Sequence, residues 1–363
     1  MYKNKILMED IEYIHKKLSK TEIKKLKNST ILITGCAGFL GYYFLHYFVN
    51  YEKELGLKRI IGLDNFMIRE PIWLKQLEDK SEKLETYKFD IITSDINEIL
   101  DSDKVDIVIH MASIASPVFY RKYPIETLDA NIWGMRRLFN FYKDKSLKGF
   151  LFFSSSEIYG DPDVDNIPTD EEYNGNVSCI GPRACYDESK RFGETMCYLF
   201  SQQYNIPIRI VRPFNNFGPG MSIEDKRVPA DFAKSVLEGK DIEIYSDGMP
   251  TRTFCYISDA IVGYLKVLLY SKFDYFNIGH DKPEISISDL AKIYATKSKK
   301  IFDLKIEVLF SSAPEKDYLT HNPNRRCPKI SKAIKLLNYK PEVSVEEGVE
   351  RFLQFIKDTK GIL

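Results

Sequence analysis

The feature that most constrains the fold is a glycine-rich turn between a predicted strand and a predicted helix. Thr30–Thr34 is a short apolar run, which is typical of a buried strand. Three glycines follow at intervals of three residues: Gly35, Gly38 and Gly41. Glycines at such a turn let the backbone approach a pyrophosphate, which rests on the N-terminus of the next helix. A glycine triplet alone is weak evidence, but its position between a strand and a helix predicts a dinucleotide-binding unit.

A carboxylate at the end of the second predicted strand indicates which dinucleotide this unit binds. Residues 59–63 form that strand, and Asp64 and Asn65 follow it. A carboxylate here accepts hydrogen bonds from the adenosine ribose and repels a 2′-phosphate, so the sequence predicts NAD and not NADP. Phe39 and Leu40, at the start of the preceding helix, are expected to line the same site.

Two later segments are also expected beside the cofactor. Asp95 and Ile96 follow a third predicted strand at residues 87–91, and we predict that they cap the adenine. Ala112 follows the fourth predicted strand and is expected to line the cofactor. His110 ends that strand within an apolar run, which favours a core histidine over a catalytic one.

The strongest candidates for chemistry lie between residues 154 and 190. Gly149–Phe153 is a fifth predicted strand, and open parallel sheets bind ligands at the carboxyl ends of their strands. The polar residues at that end are Ser155, Ser156 and Glu157. Tyr186 and Lys190 are four residues apart, which places them on one face of a helix. An ammonium beside a phenol favours the phenolate, so Tyr186 is a candidate base for a sugar hydroxyl.

Strands that alternate with helices as far as Arg212 predict an α/β fold of the Rossmann type, with a doubly wound parallel sheet. We expect an NAD-binding domain over residues 30–212. After Arg212 the pattern changes to short segments rich in turn residues. Residues 213–363 are therefore expected to form mainly a smaller mixed α+β substrate-binding domain, with some segments returning to the first domain.

Residues 1–29 are predicted to be a helical N-terminal extension. Leu7, Ile11 and Ile14 recur at helical spacing, and lysines occupy many of the other positions. This pattern favours a helix that docks on its own subunit or on a dimer mate over one that lies on a membrane surface.

Composition argues against several classes of partner. Lys+Arg and Asp+Glu are both 52, so no overall charge attracts the chain to nucleic acid or to an anionic membrane. No apolar run approaches the roughly 20 residues that span a bilayer. The six cysteines form no C-x-x-C pair, and the histidines show no metal-binding spacing. We therefore expect a cytoplasmic protein with reduced thiols and no bound metal.

Several longer stretches resemble the extended short-chain dehydrogenase/reductase family, which includes nucleotide-sugar epimerases, dehydratases and decarboxylases. The resemblance covers about residues 30–355 and is most specific in Gly-Pro-Arg-Ala-Cys-Tyr-Asp-Glu, residues 181–188. Within the family, the chain most resembles the UDP-glucuronate decarboxylases. The other stretches that support this are residues 110–117, 154–162 and 251–254.

The resemblance implies roles for the candidate residues. It makes Tyr186 the base, while Lys190 lowers the pKa of Tyr186 and holds the nicotinamide ribose. The Ser-Ser-Glu triplet that ends at Glu157 matches Thr-Ser-Glu of the decarboxylases. Dehydratases carry Asp at the middle position, so Ser156 argues against elimination of water. Arg326 aligns with an arginine that faces the substrate carboxylate. The other residues placed against the nucleotide sugar are Tyr120, Asn215, Val228, Tyr245 and Arg252.

The activity implied by the resemblance is decarboxylation of UDP-glucuronate to UDP-xylose by a homodimer. Oxidation at C4 makes a ketone β to the carboxylate, which then leaves as carbon dioxide before C4 is reduced again. Epimerisation or release of the keto sugar are alternatives, as is a dinucleotide-sensing protein with an inactive site. Two departures from the family pattern concern substrate identity: Gly220 replaces an arginine, and Arg-Cys-Pro-Lys at residues 326–329 replaces Arg-Lys-Pro-Asp.

Overall fold

A seven-stranded parallel sheet forms the centre of the computed structural model, which describes residues 4–312, 320 and 322–361. Its strands, in chain order, are β1 Thr30–Thr34, β2 Arg59–Asp64, β3 Leu84–Lys88, β4 Ile107–His110, β5 Gly149–Phe153 and β6 Ile208–Pro213, joined later by Tyr275–Ile278. The order across the sheet is Tyr275–Ile278, β6, β5, β4, β1, β2, β3. The doubly wound α/β prediction is confirmed.

Short strands from the second half of the chain form three small sheets. These strands are β7 Asn216–Phe217, β8 Ile242–Ile244, β9 Thr251–Arg252, β10 Cys255–Tyr256, β12 Ile285–Ser286, β13 Val308–Phe310 and β14 Arg325–Arg326. The main-sheet strand Tyr275–Ile278 is β11. β10 pairs with β7, β13 with β8, and β9 lies between β12 and β14. β11 pairs with β6 of the main sheet, so the second half does contribute a strand there.

Helices cover both faces of the sheet. They are α1 Lys5–Lys17, α2 Lys20–Leu26, α3 Phe39–Tyr51, α4 Ile72–Glu78, α5 Pro117–Lys122, α6 Pro124–Asp129, α7 Met135–Tyr142, α8 Ala184–Tyr204, α9 Val228–Glu238, α10 Ile257–Leu268, α11 Ile287–Phe302, α12 Ser331–Leu337 and α13 Val345–Thr359. Alternate strand residues serve the two layers: Ile31 and Ile33 join one apolar cluster, and Leu32 joins the other. Within the described residues no helix is long and apolar enough to cross a membrane.

The N-terminal extension packs on its own subunit. Leu7, Ile11 and Ile14 of α1 are fully buried, and α1 packs against α3, α10 and α13. Ser19 and Glu22 form a capping box that begins α2. The extension therefore belongs to the same core as the helices of one face of the sheet.

One sequence-based boundary was wrong in detail. The third strand was predicted at residues 87–91, but β3 ends at Lys88, and Asp90 closes the following turn by accepting the Ile92 amide at 2.8 Å. A π-helical segment at Ala130–Gly134 leads directly into α7.

Candidate active site

A cavity of about 1020 Å³ opens where the parallel strands end. Its wall includes the residues that follow β1, β2, β4, β5 and β6, as expected for an open α/β sheet. Residues from α9, β8 and β9 form the opposite wall. One continuous site therefore brings together the predicted cofactor segment and the predicted substrate segment.

Two glycines of the glycine-rich turn, Gly35 and Gly38, line this cavity. Gly35 has φ +72°, and a Cβ there would lie 2.8 Å from the Ala112 nitrogen, so only glycine fits. Gly38 begins α3 without a side-chain cap, which leaves backbone amides of the first turn available to an anion. Gly41 lies outside the cavity wall; a Cβ there would lie 2.2 Å from the Cys36 carbonyl oxygen. The cradle fits the pyrophosphate of NAD.

The adenosine end is formed by Asp64 and Asn65, which also line the cavity. Asp64 accepts the Ala37 and Phe66 amides, each at 2.9 Å. Burial raises the pKa of Asp64, while these hydrogen bonds act in the opposite direction. The carboxylate is thus fixed at the end of β2, as the ribose prediction requires. Phe39, Leu40 and Ala112 complete this part of the wall.

The structure does not place Asp95 and Ile96 in the cavity. Ile96 is buried in the core, and Asp95 caps a 3-10 turn by accepting the Asn97 amide at 3.0 Å. Because β3 ends earlier than predicted, Asp90 and Ile91 line the wall at this point instead. Asp90 and Ile91, five residues before the predicted pair, therefore occupy the wall where Asp95 and Ile96 were expected.

Tyr186 and Lys190 lie on the cavity-facing side of α8 and both line the wall. Gly193, one turn later, lets α8 approach β5, because a Cβ there would lie 2.6 Å from Phe152. The Lys190 Nζ donates to the Phe153 carbonyl at 2.8 Å and lies 5.6 Å from the centre of the Tyr186 ring. The predicted pair is therefore assembled.

Burial shifts the pKa of both groups. It raises the pKa of Tyr186 to about 12, and a hydrogen bond with Ser155 and the charge of Arg227 oppose the rise. Burial also lowers the pKa of Lys190 to about 7. The role of Lys190 in lowering the pKa of Tyr186 stays a prediction. His110 is a core residue as predicted, bonded to the Thr34 hydroxyl at 2.8 Å.

Glu157 lies among three buried arginines. It forms ion pairs with Arg183 and, at 3.0 Å, with Arg326. Burial acts to raise the pKa of Glu157, but the charges of Arg183, Arg326 and Arg252 outweigh it and hold the pKa below its usual value. Glu157 is therefore an ionised carboxylate, bound where the sugar is expected.

Arg183 is a site residue that the sequence analysis did not identify. It lines the cavity, whereas Arg326 does not. Arg326 is 3% exposed and donates to the Ser156 hydroxyl at 3.0 Å and to the Gly160 carbonyl at 3.1 Å. The sequence could have indicated Arg183, because it lies three residues before Tyr186, a spacing that places two side chains on the same face at the start of a helix.

The remaining predicted substrate residues also line the cavity: Tyr120, Asn215, Val228, Tyr245 and Arg252. The Tyr120 ring stacks on Tyr186 with centroids 5.2 Å apart, and its buried hydroxyl has no hydrogen-bond partner among the described residues. The Arg252 guanidinium is held by backbone carbonyls, including those of Thr251 at 2.8 Å and Pro323 at 2.6 Å.

The departure at Gly220 has a local physical reason. Gly220 has φ +87°, and a Cβ there would lie 2.6 Å from the Tyr42 ring. A side chain at this position would be strained and would collide with α3. The residues that replace the family's Arg-Lys-Pro-Asp are also fixed: Cys327 is buried, and Lys329 pairs with Asp170 at 2.9 Å.

No cluster of three or more histidine, cysteine or acidic side chains is placed to hold a metal in the described ranges. All six cysteines are free. The polar side chains of the cavity wall instead include hydroxyls, carboxylates, amides, ammonium and guanidinium groups. Such groups can bind an anionic sugar and transfer protons.

Comparison with known proteins places this site in a family. A model of the NAD dependent epimerase/dehydratase family matches residues 31–279. UDP-glucuronic acid decarboxylase 6 of Arabidopsis thaliana is 34% identical over 322 residues, which are 89% of this chain and 87% of that protein. UDP-glucuronic acid decarboxylase 1 of Xenopus tropicalis is 35% identical over 90% of this chain and 72% of its own length.

Solved structures agree with the family match. UDP-glucuronic acid 4-epimerase from Bacillus cereus, in complex with UDP-glucuronic acid and NAD, has a TM-score of 0.73 and 28% identity, covering 91% of this chain and 99% of that one. UDP-glucose 4-epimerase from Thermotoga maritima has a TM-score of 0.77 with the same coverage, and at 24% identity it shows the fold alone. The chain is therefore an enzyme of the NAD dependent epimerase/dehydratase family, and NAD is its cofactor.

Proposed function

We propose that this enzyme decarboxylates UDP-glucuronate to UDP-xylose. The observation that carries the proposal is the arrangement of Tyr186 beside Glu157 and the arginines around it. Three guanidinium groups lie around Glu157 and Asp187, and burial raises the pKa of Asp187 to about 7. Three positive charges against at most two negative ones leave surplus positive charge, which suits a sugar that carries a carboxylate of its own. The similarity to UDP-glucuronic acid decarboxylases over most of the chain supports the same substrate.

The reaction begins with proton removal by Tyr186 from the C4 hydroxyl, with Ser155 hydrogen-bonded to the phenol. The cofactor part of the cavity would hold NAD⁺, which would supply the acceptor for the C4 hydride, the later return of that hydride and a positive ring charge. The ketone formed at C4 is β to the C5 carboxylate, so the electrons of the C5–C6 bond can flow into an enolate as carbon dioxide leaves. A proton from solvent is added at C5, the hydride returns to C4, and the proton held by Tyr186 returns to the C4 oxygen, which gives UDP-xylose.

Ser156 and Glu157 position the sugar and assist proton transfer in this proposal. Ser156 is buried and accepts from Arg326, so its hydroxyl is fixed in the site. A serine there offers no carboxylic acid to protonate a departing hydroxyl, which supports decarboxylation over dehydration. Lys190 is proposed to hold the nicotinamide ribose, since it lines the cavity next to Tyr186.

The test is to incubate the pure enzyme and NAD with UDP-glucuronate in D₂O and to follow the sugar by NMR. Carbon dioxide and UDP-xylose with one deuterium at C5 are expected. UDP-galacturonate would indicate an epimerase, and a 4-keto pentose would indicate release of the intermediate. Tyr186→Phe is expected to reduce turnover about 10²- to 10⁴-fold while NAD still binds. NAD binding without turnover in the wild type would indicate a binding protein.

We also propose that the enzyme is a cytoplasmic homodimer. Three large apolar side chains are about half exposed on adjacent helical segments: Trp133, Phe192 and Leu199. The π-helical segment that carries Trp133 packs against α8, which carries the other two. A second copy that covers these side chains would remove the exposed apolar area from water. Six free cysteines fit a reducing compartment.

A further inference from the structure

We propose that Arg183 is the residue that recognises the carboxylate of the substrate, and that Arg326 acts indirectly by fixing Glu157 and Ser156. This inference rests on the proposed function and assigns its carboxylate subsite. It begins from the difference in position between the two arginines. Arg183 is part of the cavity wall, and Arg326 lies behind it.

The hydrogen-bond partners of Arg326 leave little capacity for a ligand. Its Nη1 donates to the Ser156 hydroxyl at 3.0 Å. Its Nη2 donates to the Gly160 carbonyl at 3.1 Å and lies 3.0 Å from the Glu157 carboxylate. Both terminal nitrogens are therefore engaged with the loop after β5. This geometry suits a residue that holds the loop in place.

Arg252 is also committed to the protein. Its Nη1 donates to two backbone carbonyls, those of Thr251 at 2.8 Å and Asn324 at 3.1 Å, and its Nη2 donates to the Pro323 carbonyl at 2.6 Å. Both terminal nitrogens of Arg252 therefore already have backbone acceptors. Arg252 contributes its positive charge to the cavity, but its hydrogen bonds are used within the protein.

Arg183 differs from both. Its Nη2 is paired with Glu157 and its Nε lies 3.4 Å from an Asp187 oxygen, whereas its Nη1 makes no hydrogen bond to the described part of the chain. The side chain is fixed at two points and presents the rest of the guanidinium to the cavity. A carboxylate can meet Nη1 and Nη2 as a bidentate partner, and Glu157 remains held by Arg326 when Nη2 is shared.

The position of Arg183 also matches the geometry of the sugar. The carboxyl carbon of glucuronate is two bonds from C4, the atom on which Tyr186 acts. A carboxylate-binding group must therefore lie next to Tyr186. Arg183 is one helical turn before Tyr186, and its guanidinium is 5.8 Å from the centre of the Tyr120 ring, which stacks on Tyr186.

Binding measurements with two ligands test the assignment. UDP-xylose differs from UDP-glucuronate by the missing carboxylate, so the ratio of their dissociation constants isolates the carboxylate subsite. The titrations use the Tyr186→Phe background with NAD bound, so that UDP-glucuronate is not turned over while it binds. When Arg183→Met is added to that background, calorimetry is expected to show UDP-glucuronate weakened about 10- to 100-fold and UDP-xylose changed by less than about 3-fold. Arg326→Met, the matched control, is expected to lower kcat while the ratio stays near that of the wild type.

Other outcomes distinguish failure of the Arg183 assignment from failure of the proposed function. If Arg326→Met collapses the ratio and Arg183→Met preserves it, the assignment is overturned. If the wild type neither prefers UDP-glucuronate to UDP-xylose nor releases carbon dioxide, the proposed function itself fails. If Arg183→Met does not fold, Arg183→Lys decides, because it keeps the charge and loses the bidentate geometry. An intermediate loss in the ratio supports the assignment, and an unchanged ratio overturns it.

Discussion

The buried carboxylate of Asp10 offers a direct test of whether the N-terminal extension is an integral part of the fold. Asp10 is 2% exposed and accepts hydrogen bonds from the Tyr43 hydroxyl at 2.6 Å and the Tyr256 hydroxyl at 2.8 Å. Arg351 donates to the other carboxylate oxygen at 2.8 Å. One side chain of α1 thus joins α3, the end of β10 and α13.

Replacement of Asp10 by alanine is expected to lower the free energy of unfolding by about 3 kcal/mol. Breaking a buried ion pair by removing one partner costs about 3–5 kcal/mol, and here the two tyrosine hydroxyls also lose their acceptor. Two features favour the lower end of that range. Burial raises the pKa of Asp10, so the ionised carboxylate carries a desolvation cost that alanine removes, and Arg351 keeps its contact with Glu9 at 3.0 Å.

Equilibrium unfolding in urea measures this change, and two variants calibrate it. Both tyrosine hydroxyls donate to the same oxygen of Asp10, so Asp10→Asn keeps an acceptor for both and loses the ion pair with Arg351; a loss of about 1–2 kcal/mol is expected. Glu9→Ala removes the exposed partner of Arg351 and is expected to cost less than about 1 kcal/mol. A loss for Asp10→Ala no larger than that for Glu9→Ala would refute the reasoning, because the extension would then contribute no buried polar contact of consequence.

Three further predictions concern the cofactor turn, the lysine and the assembly. Gly35→Ala is expected to weaken NAD binding more than about 10-fold in titrations, because both the φ of Gly35 and its contact with Ala112 exclude a side chain. Gly239→Ala is the control that should bind NAD normally: Gly239 also has a positive φ, +67°, but the nearest atom to a Cβ there is 3.8 Å away. Burial lowers the pKa of Lys190 to about 7, whereas the ordinary value of 10.5 applies in the unfolded chain. Between these two pH values the unfolded state binds more protons than the folded state, so the free energy of unfolding of the wild type rises with pH. The stability of Lys190→Met relative to the wild type should therefore fall as the pH rises through this window, and a constant difference would contradict the assignment. Trp133→Arg is expected to produce monomers in light scattering, whereas Ile72→Arg, which alters an exposed apolar side chain on α4, should leave the assembly unchanged.

The parts of the fold that sequence could predict are those coded by local pattern. The turn from Gly35 to Gly41 lies between an apolar strand and a helix, and each of these elements has its own short-range signal. β11 was not predicted, because it is four residues long and contains the polar Asn277. Asn277 is tolerated in the sheet since it bonds to Tyr159 and to the Thr169 carbonyl, both more than a hundred positions away. Such partners leave no local pattern.

Similar reasoning explains why the residues around Glu157 were only partly predicted. The family pattern indicated that Arg326 is near the substrate carboxylate, but proximity along an alignment does not fix which nitrogen atoms face the cavity. That depends on the Ser156 hydroxyl and the Gly160 carbonyl, which bind Arg326 from a loop 170 and 166 residues away in sequence. With Arg326 occupied in this way, an incoming carboxylate finds its donors on Arg183, the N-cap residue of α8, which lies three residues before Tyr186. Substrate recognition and proton transfer would then depend on one rigid element, and displacement of α8 should impair both together.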